Sequence, residues 1–528
     1  MDNVDSLVKR LEQLDDIGAS LSGERDIDRL LGKILLAAKD ITHADGGTLY
    51  TVAPDGQHLN FRIVRTDSLG IAYGGKDEAP LPSHFKDLPL YLEDGQPNDH
   101  MVAAHVALSG QTANIADAYE ERRFDFSGTR RFDAATGYRS TSFLTVPMKN
   151  HEGEVIGVLQ LLNALSPDTR AVRAFSAGDQ RLAESLGSQA AIALTNRLLI
   201  GQLEKLFESF VQLIDTAIDE KSPYTGGHCA RVPELTMMLA EAVNSNTEGP
   251  LAGFTLTDKD RYELRIAALL HDCGKVTTPV HVVDKGTKLQ TIFDRIELVA
   301  TRFAGLKAQA QADMWRAVAQ GESEAQARAG CEALCSQLDE DLAFLRHANK
   351  GSERMDDAAV QRVRGMAERY RWVDAQGQEQ PLLSDDEVEN LTIRAGTLTA
   401  AEREIINHHI VATIQMLEKL PWPKHLAHVP EYAGGHHERM DGKGYPKGLK
   451  REQMSVQARI MGIADIFEAL TAADRPYKAP MKLSQALKIM DNFRDNGHID
   501  PDLYALFLSH QVPQRYGQKY LAAAQRDC

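Results

Sequence analysis

Cysteine is scarce in this chain, and positive charge is outweighed. Five cysteines among 528 residues, at 229, 273, 331, 335 and 528, cannot make a disulfide framework. This excludes the small stapled secreted folds and points to a reducing, cytoplasmic setting. Lys and Arg number 59 against 75 Asp and Glu, a net charge of −16. That balance argues against a general nucleic-acid or anionic-membrane surface, either of which needs a basic face. A small anionic ligand stays open, because a few local cations or metals reverse the field inside one pocket. No apolar run approaches the roughly 20 residues that span a bilayer. The opening segment, MDNVDSLVKRLEQLDDIGASL, reads as an acidic amphipathic helix over 1–19 and not as a signal peptide.

What is present suggests two or three domains, since one core does not grow to this length. From 20 to 178, helix and strand patterns alternate. GTLYTVAPDGQHLNFRIV predicts strand, turn and strand, reversing at Pro54-Asp55-Gly56; SFLTVPMKNHEGEVIGVLQLLNA predicts a second hairpin turning near Asn150–Gly153. The expectation is a sensor-like α/β or α+β module. Residues 178–220 contain no proline, and Leu199, Leu203, Leu206, Phe210, Leu213 and Ala217 step by 4, 3, 4, 3 and 4. Those steps describe a short coiled-coil seam that would join two protomers, or else one helix packed on its own domain. From 221 onward the pattern is mainly helical. A segment over 303–396, rich in Ala, Arg, Glu and Gln, predicts two or three helices and then a turn-rich stretch, VDAQGQEQPLLSDDE.

Several polar motifs carry little chemistry. Cys331 and Cys335 sit i, i+4 on a predicted helix with no second Cys/His pair nearby, and read as ordinary helix residues. The run from Gly70 to Lys76 nearly fits a phosphate-binding loop, but Asp77 replaces the needed hydroxyl.

The 18 histidines are more telling where they stand beside other ligand types. YELRIAALLHDCGK is an apolar helix ending in His271-Asp272, with Gly274 placed to stop it. His228 lies in SPYTGGHCARV, His409 in EREIINHHIVATIQML, His436-His437 in GGHHERMDGKGYP and Asp465 in RIMGIADIFEALTAADRPY. A lone helical histidine is commonly a satisfied core residue. Five histidines and two aspartates in apolar or Gly-bounded settings instead suit Fe, Mn or Zn, and one carboxylate can bridge two ions.

HDCGK, HHERMDGKGYP and IADIFEALTAADRPY together resemble the HD-GYP family of bacterial cyclic di-GMP phosphodiesterases, over two blocks, 215–302 and 397–520. The resemblance implies an all-α, metal-dependent phosphohydrolase domain over 221–528, with 303–396 as an insertion. It implies that His228, His271, Asp272 and Asp465 hold one metal, and that Asp272 bridges to a second held by His409, His436 and His437. His408 is left aside in favour of its neighbour. Lys275 would sit by the scissile phosphate, a catalytic role shared with Asp272. Gly444 and Tyr445 of the GYP loop, with Arg475 and Lys478, would contact substrate. Some members carry a Glu four residues before the first histidine; Tyr224 stands there instead, which favours two divalent metals, Fe or Mn. The implied reaction opens cyclic di-GMP to linear pGpG or GMP, with hybrid cyclic GMP-AMP as the other substrate. A scaffold that binds cyclic dinucleotide or signalling partners is the competing reading.

The second hairpin, with TGYRSTSFLTVPMKN and GEVIGVLQLLNA, resembles a GAF domain over 20–178, an antiparallel sheet flanked by helices. Cyclic-nucleotide-binding members carry an Asn-Lys…Phe-xxx-Asp-Glu pattern, matched here at Asn163, Phe175 and Asp179 but not at Ala164 or Gln180. The resemblance implies a cyclic nucleotide, another small ligand, or a purely dimerising domain. A connecting helix over 179–220 would pass its state to the catalytic pair of a homodimer.

Overall fold

The computed structural model describes residues 16–528 except 22, 25, 77, 84, 222–226, 352–353 and 474–479. Most of the expected 1–19 helix therefore lies outside the described residues. The chain divides into two compact units at Phe207/Glu208.

In the first unit, α1 (Ile27–Thr42) begins at Asp26, whose carboxylate accepts from the backbone N–H groups of Asp28 and Arg29. Its Leu30, Leu31, Ile34, Leu35, Ala38 and Ile41 recur at helical spacing and are buried. Eight strands follow: β1 (Ala44–Val52), β2 (His58–Thr66), β3 (Ile71–Tyr73), β4 (Leu88–Pro89), β5 (Ala113–Ile115), β6 (Phe143–Lys149), β7 (Val155–Leu165) and β8 (Val172–Arg173). They form one antiparallel sheet in the order β3-β2-β1-β7-β6-β5, with β4 on β2 and β8 on β7. Both expected hairpins form. Asp55 accepts from Gln57 N at the first reversal, and Asn150 accepts from Glu152 N and Glu154 N at the second.

The helix α2 (Ala177–Lys221) is 45 residues long; short helices Val102–Ser109 and Ser127–Thr136 precede it. Its first turns bury Leu182, Leu186, Ala190 and Leu194 against α1 and the sheet. Beyond them the heptad positions change character: Leu199, Leu203, Leu206, Phe210 and Leu213 are all exposed.

The second unit is built from α3 (His228–Asn244), α4 (Asp258–Leu270), α5 (Ile296–Ala319), α6 (Glu324–Asn349), α7 (Asp357–Arg369), α8 (Asp385–Leu391), α9 (Ala400–Glu418), α10 (Val429–Gly434), α11 (Val456–Thr471) and three closing helices. Thr257 and Asp260 form a capping box on α4, and Thr399 with Glu402 one on α9, so both site-bearing helices start at fixed residues. The inserted segment has its own core of Leu289, Val299, Phe303, Leu338, Leu345, Val363 and Leu382. That core begins before residue 303, because α5 already starts at Ile296. The turn-rich stretch is a β-hairpin, Arg371–Val373 with Glu379–Pro381, followed by α8. Lys285, almost fully buried, ties the segment to the helical body by donating to Asn390 Oδ1 at 2.7 Å and to the Glu402 carboxylate at 2.7 and 2.8 Å.

Candidate metal centre

Three helix ends and two helix faces bring the expected ligands together. His228 opens α3, His271 caps α4, His409 lies midway along α9, His436 and His437 follow α10, and Asp465 lies on α11. His228, His271, His409 and His436 are buried, as is Asp272, while His408 points to solvent. Two donor groups result: His228, His271 and Asp272 in one, His409, His436 and His437 in the other, each with ligand atoms within 4.8 Å of one another. Asp465 joins the first, its Oδ1 lying 3.3 Å from His228 Nε2 and 4.0 Å from His271 Nε2.

Asp272 divides its carboxylate between the groups. Oδ2 is 3.3 Å from His228 Nε2 and 3.2 Å from His271 Nε2; Oδ1 is 3.3 Å from His409 Nε2. Among the described residues, the Nε2 atoms of His228, His271 and His436 and the Asp272 Oδ1 are buried without a hydrogen-bond partner. Buried polar atoms are rarely left so. Convergent imidazole and carboxylate donors are satisfied together by divalent metal, and the residues present fit that group.

The electrostatics follow from burial and charge. Burial alone would lower the His228 pKa, yet Asp272, Asp465 and Glu468 hold it well above its usual value. Burial would raise the Asp272 carboxyl, and Lys275, His271 and His228 bring it well below. Burial and the neighbouring imidazoles keep His436 far below the ordinary range, and His437 falls to about 4, mainly through burial. Lys275 Nζ stands 2.5 Å from Asp272 Oδ2 and is partly exposed.

Two glycines sit where a side chain would meet backbone, one of them in a role its sequence reading did not give. Gly274 does not stop α4 through a left-handed turn; the helix ends at Leu270 and a 3₁₀ turn, Cys273–Thr277, follows. A Cβ at Gly274 would lie 2.0 Å from His409 O and 2.5 Å from Thr413 N, so its small size lets α9 lie directly on that turn. A Cβ at Gly444 would lie 2.4 Å from Arg439 N and 2.5 Å from Glu438 Cα. There the loop backbone lies directly against the chain's own backbone. Tyr445 stacks on His437, ring centroids 4.8 Å apart, which places the loop beside the second donor group. Arg475, Lys478 and Tyr224 lie outside the described residues.

Sequence reasoning passed over three acids. Glu438, next to His437, is buried and accepts from Lys447 N at 2.7 Å and Leu449 N at 2.8 Å, pinning the loop. Glu468 accepts from His228 Nδ1 at 2.5 Å. Asp215, on α2, has its carboxyl pushed up to about 7, chiefly by burial, with Asp219 and Asp272 adding to the rise and His271 opposing it. The i, i+3 spacing of Asp465 and Glu468 was the available signal for the second of these.

A family model of the GAF domain matches residues 26–194, and two models of the HD domain match 225–320 and 385–503. The chain carries a GAF domain and an HD domain. It is similar to two 3′3′-cGAMP-specific phosphodiesterases of Vibrio cholerae, at 40% identity over 24% and 18% of the chain. It is also similar to a cyclic di-GMP phosphodiesterase of Pseudomonas aeruginosa, at 36% identity over 22% of the chain. The matched parts span 26%, 21% and 27% of those relatives' own lengths. The two HD matches leave residues 321–384 between them, and the donor residues come from both matched stretches.

In the GAF domain, the residues of the cyclic-nucleotide pattern are engaged elsewhere. Asn163 Oδ1 accepts from Thr141 N and Ser142 N, and its Nδ2 donates to Tyr138 Oη and Arg139 O. Phe175 belongs to the buried core, and Asp179 accepts from Arg173 and Ser176 at the start of α2. None of the three lines the cavity of about 480 Å³, which is walled by Phe61, Phe85, Phe132 and Phe143 with Arg65 and Lys86.

Proposed function

We propose that the HD domain hydrolyses the phosphodiester bonds of a cyclic dinucleotide, using two divalent metals, Fe or Mn. The observation that carries this reading is Asp272, whose two carboxylate oxygens face separate donor groups. The first metal would be held by His228, His271, Asp272 and Asp465, and the second by Asp272, His409, His436 and His437. Bound metals would neutralise phosphate charge and lower the pKa of water toward about 7. The chain's own contribution is to hold Lys275 beside Asp272, where its ammonium meets a non-bridging phosphate oxygen. Tyr445, stacked on His437, offers a face for a base beside the centre.

Cyclic di-GMP opening to pGpG or GMP is the first substrate reading, supported by the Pseudomonas relative. Cyclic GMP-AMP is the second, favoured by the higher identity of the two cGAMP-specific relatives. Parallel turnover assays with both dinucleotides decide between them, and the reading fails if a two-metal preparation turns over neither.

We further infer that the GAF cavity takes a small molecule. Its volume lies in the range of ligand pockets, and its phenylalanine walls suit a planar ring. The exposed seam Leu199–Leu213 supports a homodimer through α2. That helix also carries Asp215 toward the metal centre, giving a route from sensor to site. Inserting two residues near Gly201 would shift the seam; an unchanged hydrolysis rate and dimer would contradict the route.

A further inference from the structure

The histidines of the metal centre are not all held in the same way. His271, His409 and His436 each turn Nδ1 onto the carbonyl three residues back, at Ala268 (2.7 Å), Ile406 (2.5 Å) and Ala433 (2.6 Å). His228, the first residue of α3 after Gly227, is held differently. Its Nδ1 lies instead 2.5 Å from Glu468 Oε2. Glu468 is wholly buried, and its other oxygen accepts from Arg231 Nε at 2.7 Å, one turn along α3 from His228. The same face of α11 therefore grips both sides of one imidazole, with Glu468 at Nδ1 and Asp465 3.3 Å from Nε2.

We propose that Glu468 is the positioning residue of His228, and that with Arg231 it makes the His228 group a tighter metal site than the His409 group. The inference rests on the metal-dependent reading of the centre. A carboxylate on Nδ1–H fixes the tautomer, aims the Nε2 lone pair at the metal and raises the basicity of the ligand. The first group combines that polarised imidazole with Asp272 and Asp465. In the second group, His409 and His436 are oriented by neutral carbonyls, and Asp272, the carboxylate that faces His409, is shared with the first group. A divalent cation is held more firmly by the more negative set.

The test uses the metal-free full-length protein titrated anaerobically with Mn(II), free ion being read by electron paramagnetic resonance. Wild type is expected to bind with two separable affinities. Glu468→Gln keeps the shape and an acceptor but removes the charge; it should weaken the tighter site by about 10–100-fold and leave the weaker one in place. The melting temperature of the metal-free variant reports folding separately. Should Glu468→Gln not fold, Arg231→Gln, at a partly exposed residue, should weaken the same site by a smaller factor. Unchanged affinities, or equal weakening of both sites, would overturn the assignment. Hydrolysis is measured apart: wild type that binds both ions and turns over no cyclic dinucleotide would defeat the phosphodiesterase reading, not this one.

Discussion

Asp272 Oδ1 lies 3.3 Å from His409 Nε2, although the whole inserted segment separates the two residues in sequence. The other oxygen of the same carboxylate faces His228 and His271. Removing Asp272 must therefore act on both donor groups, whereas Asp465 lies within 4.0 Å of His228 and His271 in the first. Asp272→Ala is expected to lower bound metal at both positions, and Asp465→Ala chiefly at one. Metal counting by mass spectrometry on anaerobic preparations checks this. Identical loss in the two variants would contradict the shared carboxylate.

Gly274 allows a backbone-to-backbone approach that no side chain can share. A Cβ there would sit 2.0 Å from His409 O, and neither main chain can step aside cheaply. Gly274→Ala should cost about 1–3 kcal/mol or more through overpacking, seen as a lower melting temperature. Metal affinity should fall with it, because the strain displaces His409. A variant with wild-type melting and metal content would contradict the packing argument.

Glu438 adjoins His437 but is turned to the loop, accepting from Lys447 N and Leu449 N. Hydrogen bonds to a charged acceptor contribute about 1.5–3 kcal/mol each. Glu438→Ala is expected to keep its metals while raising the KM for cyclic dinucleotide, with faster hydrogen exchange over 443–449. Loss of metal as the first effect would make Glu438 a ligand and contradict the geometry.

Lys288 is buried in the inserted segment and donates to Leu391 O and Ile393 O. Burial lowers its pKa from 10.5 to about 8. Between those values the unfolded chain binds more protons than the folded one, so folded stability rises with pH across about 8 to 10.5. Below pH 8 both states are protonated and the slope vanishes. Comparing urea unfolding of wild type and Lys288→Met across this window isolates the effect, and parallel pH profiles would contradict it.

Much of this was legible where local rules act alone. Pro54-Asp55-Gly56 and Asn150–Gly153 turn the hairpins because their side chains bond their own backbone. Ligand-type residues bounded by glycine or apolar helix marked the side chains that converge in the two donor groups. Partners chosen across the fold were not legible: Glu468 meets His228 from 240 residues away, and its i, i+3 spacing from Asp465 marks a shared helix face without naming that partner. Gly274 looked like a helix stop because helices commonly end on glycine, while its role depends on a helix far along the chain. The hairpin Arg371–Pro381 has strands of three residues each, too short for alternation to appear. Asn163, Phe175 and Asp179 matched a binding pattern by type, but the turn and core around them use their polar atoms and ring.

The account turns on metal-dependent opening of a cyclic dinucleotide by the centre around Asp272. Full-length protein purified without oxygen, its metals counted, and assayed with cyclic di-GMP and with cyclic GMP-AMP tests this most directly. The account predicts two metals per chain, turnover of at least one dinucleotide to a linear product, and a loss of about a hundredfold or more in Asp272→Ala. A wild-type preparation with both metals bound and no turnover of either dinucleotide would contradict it.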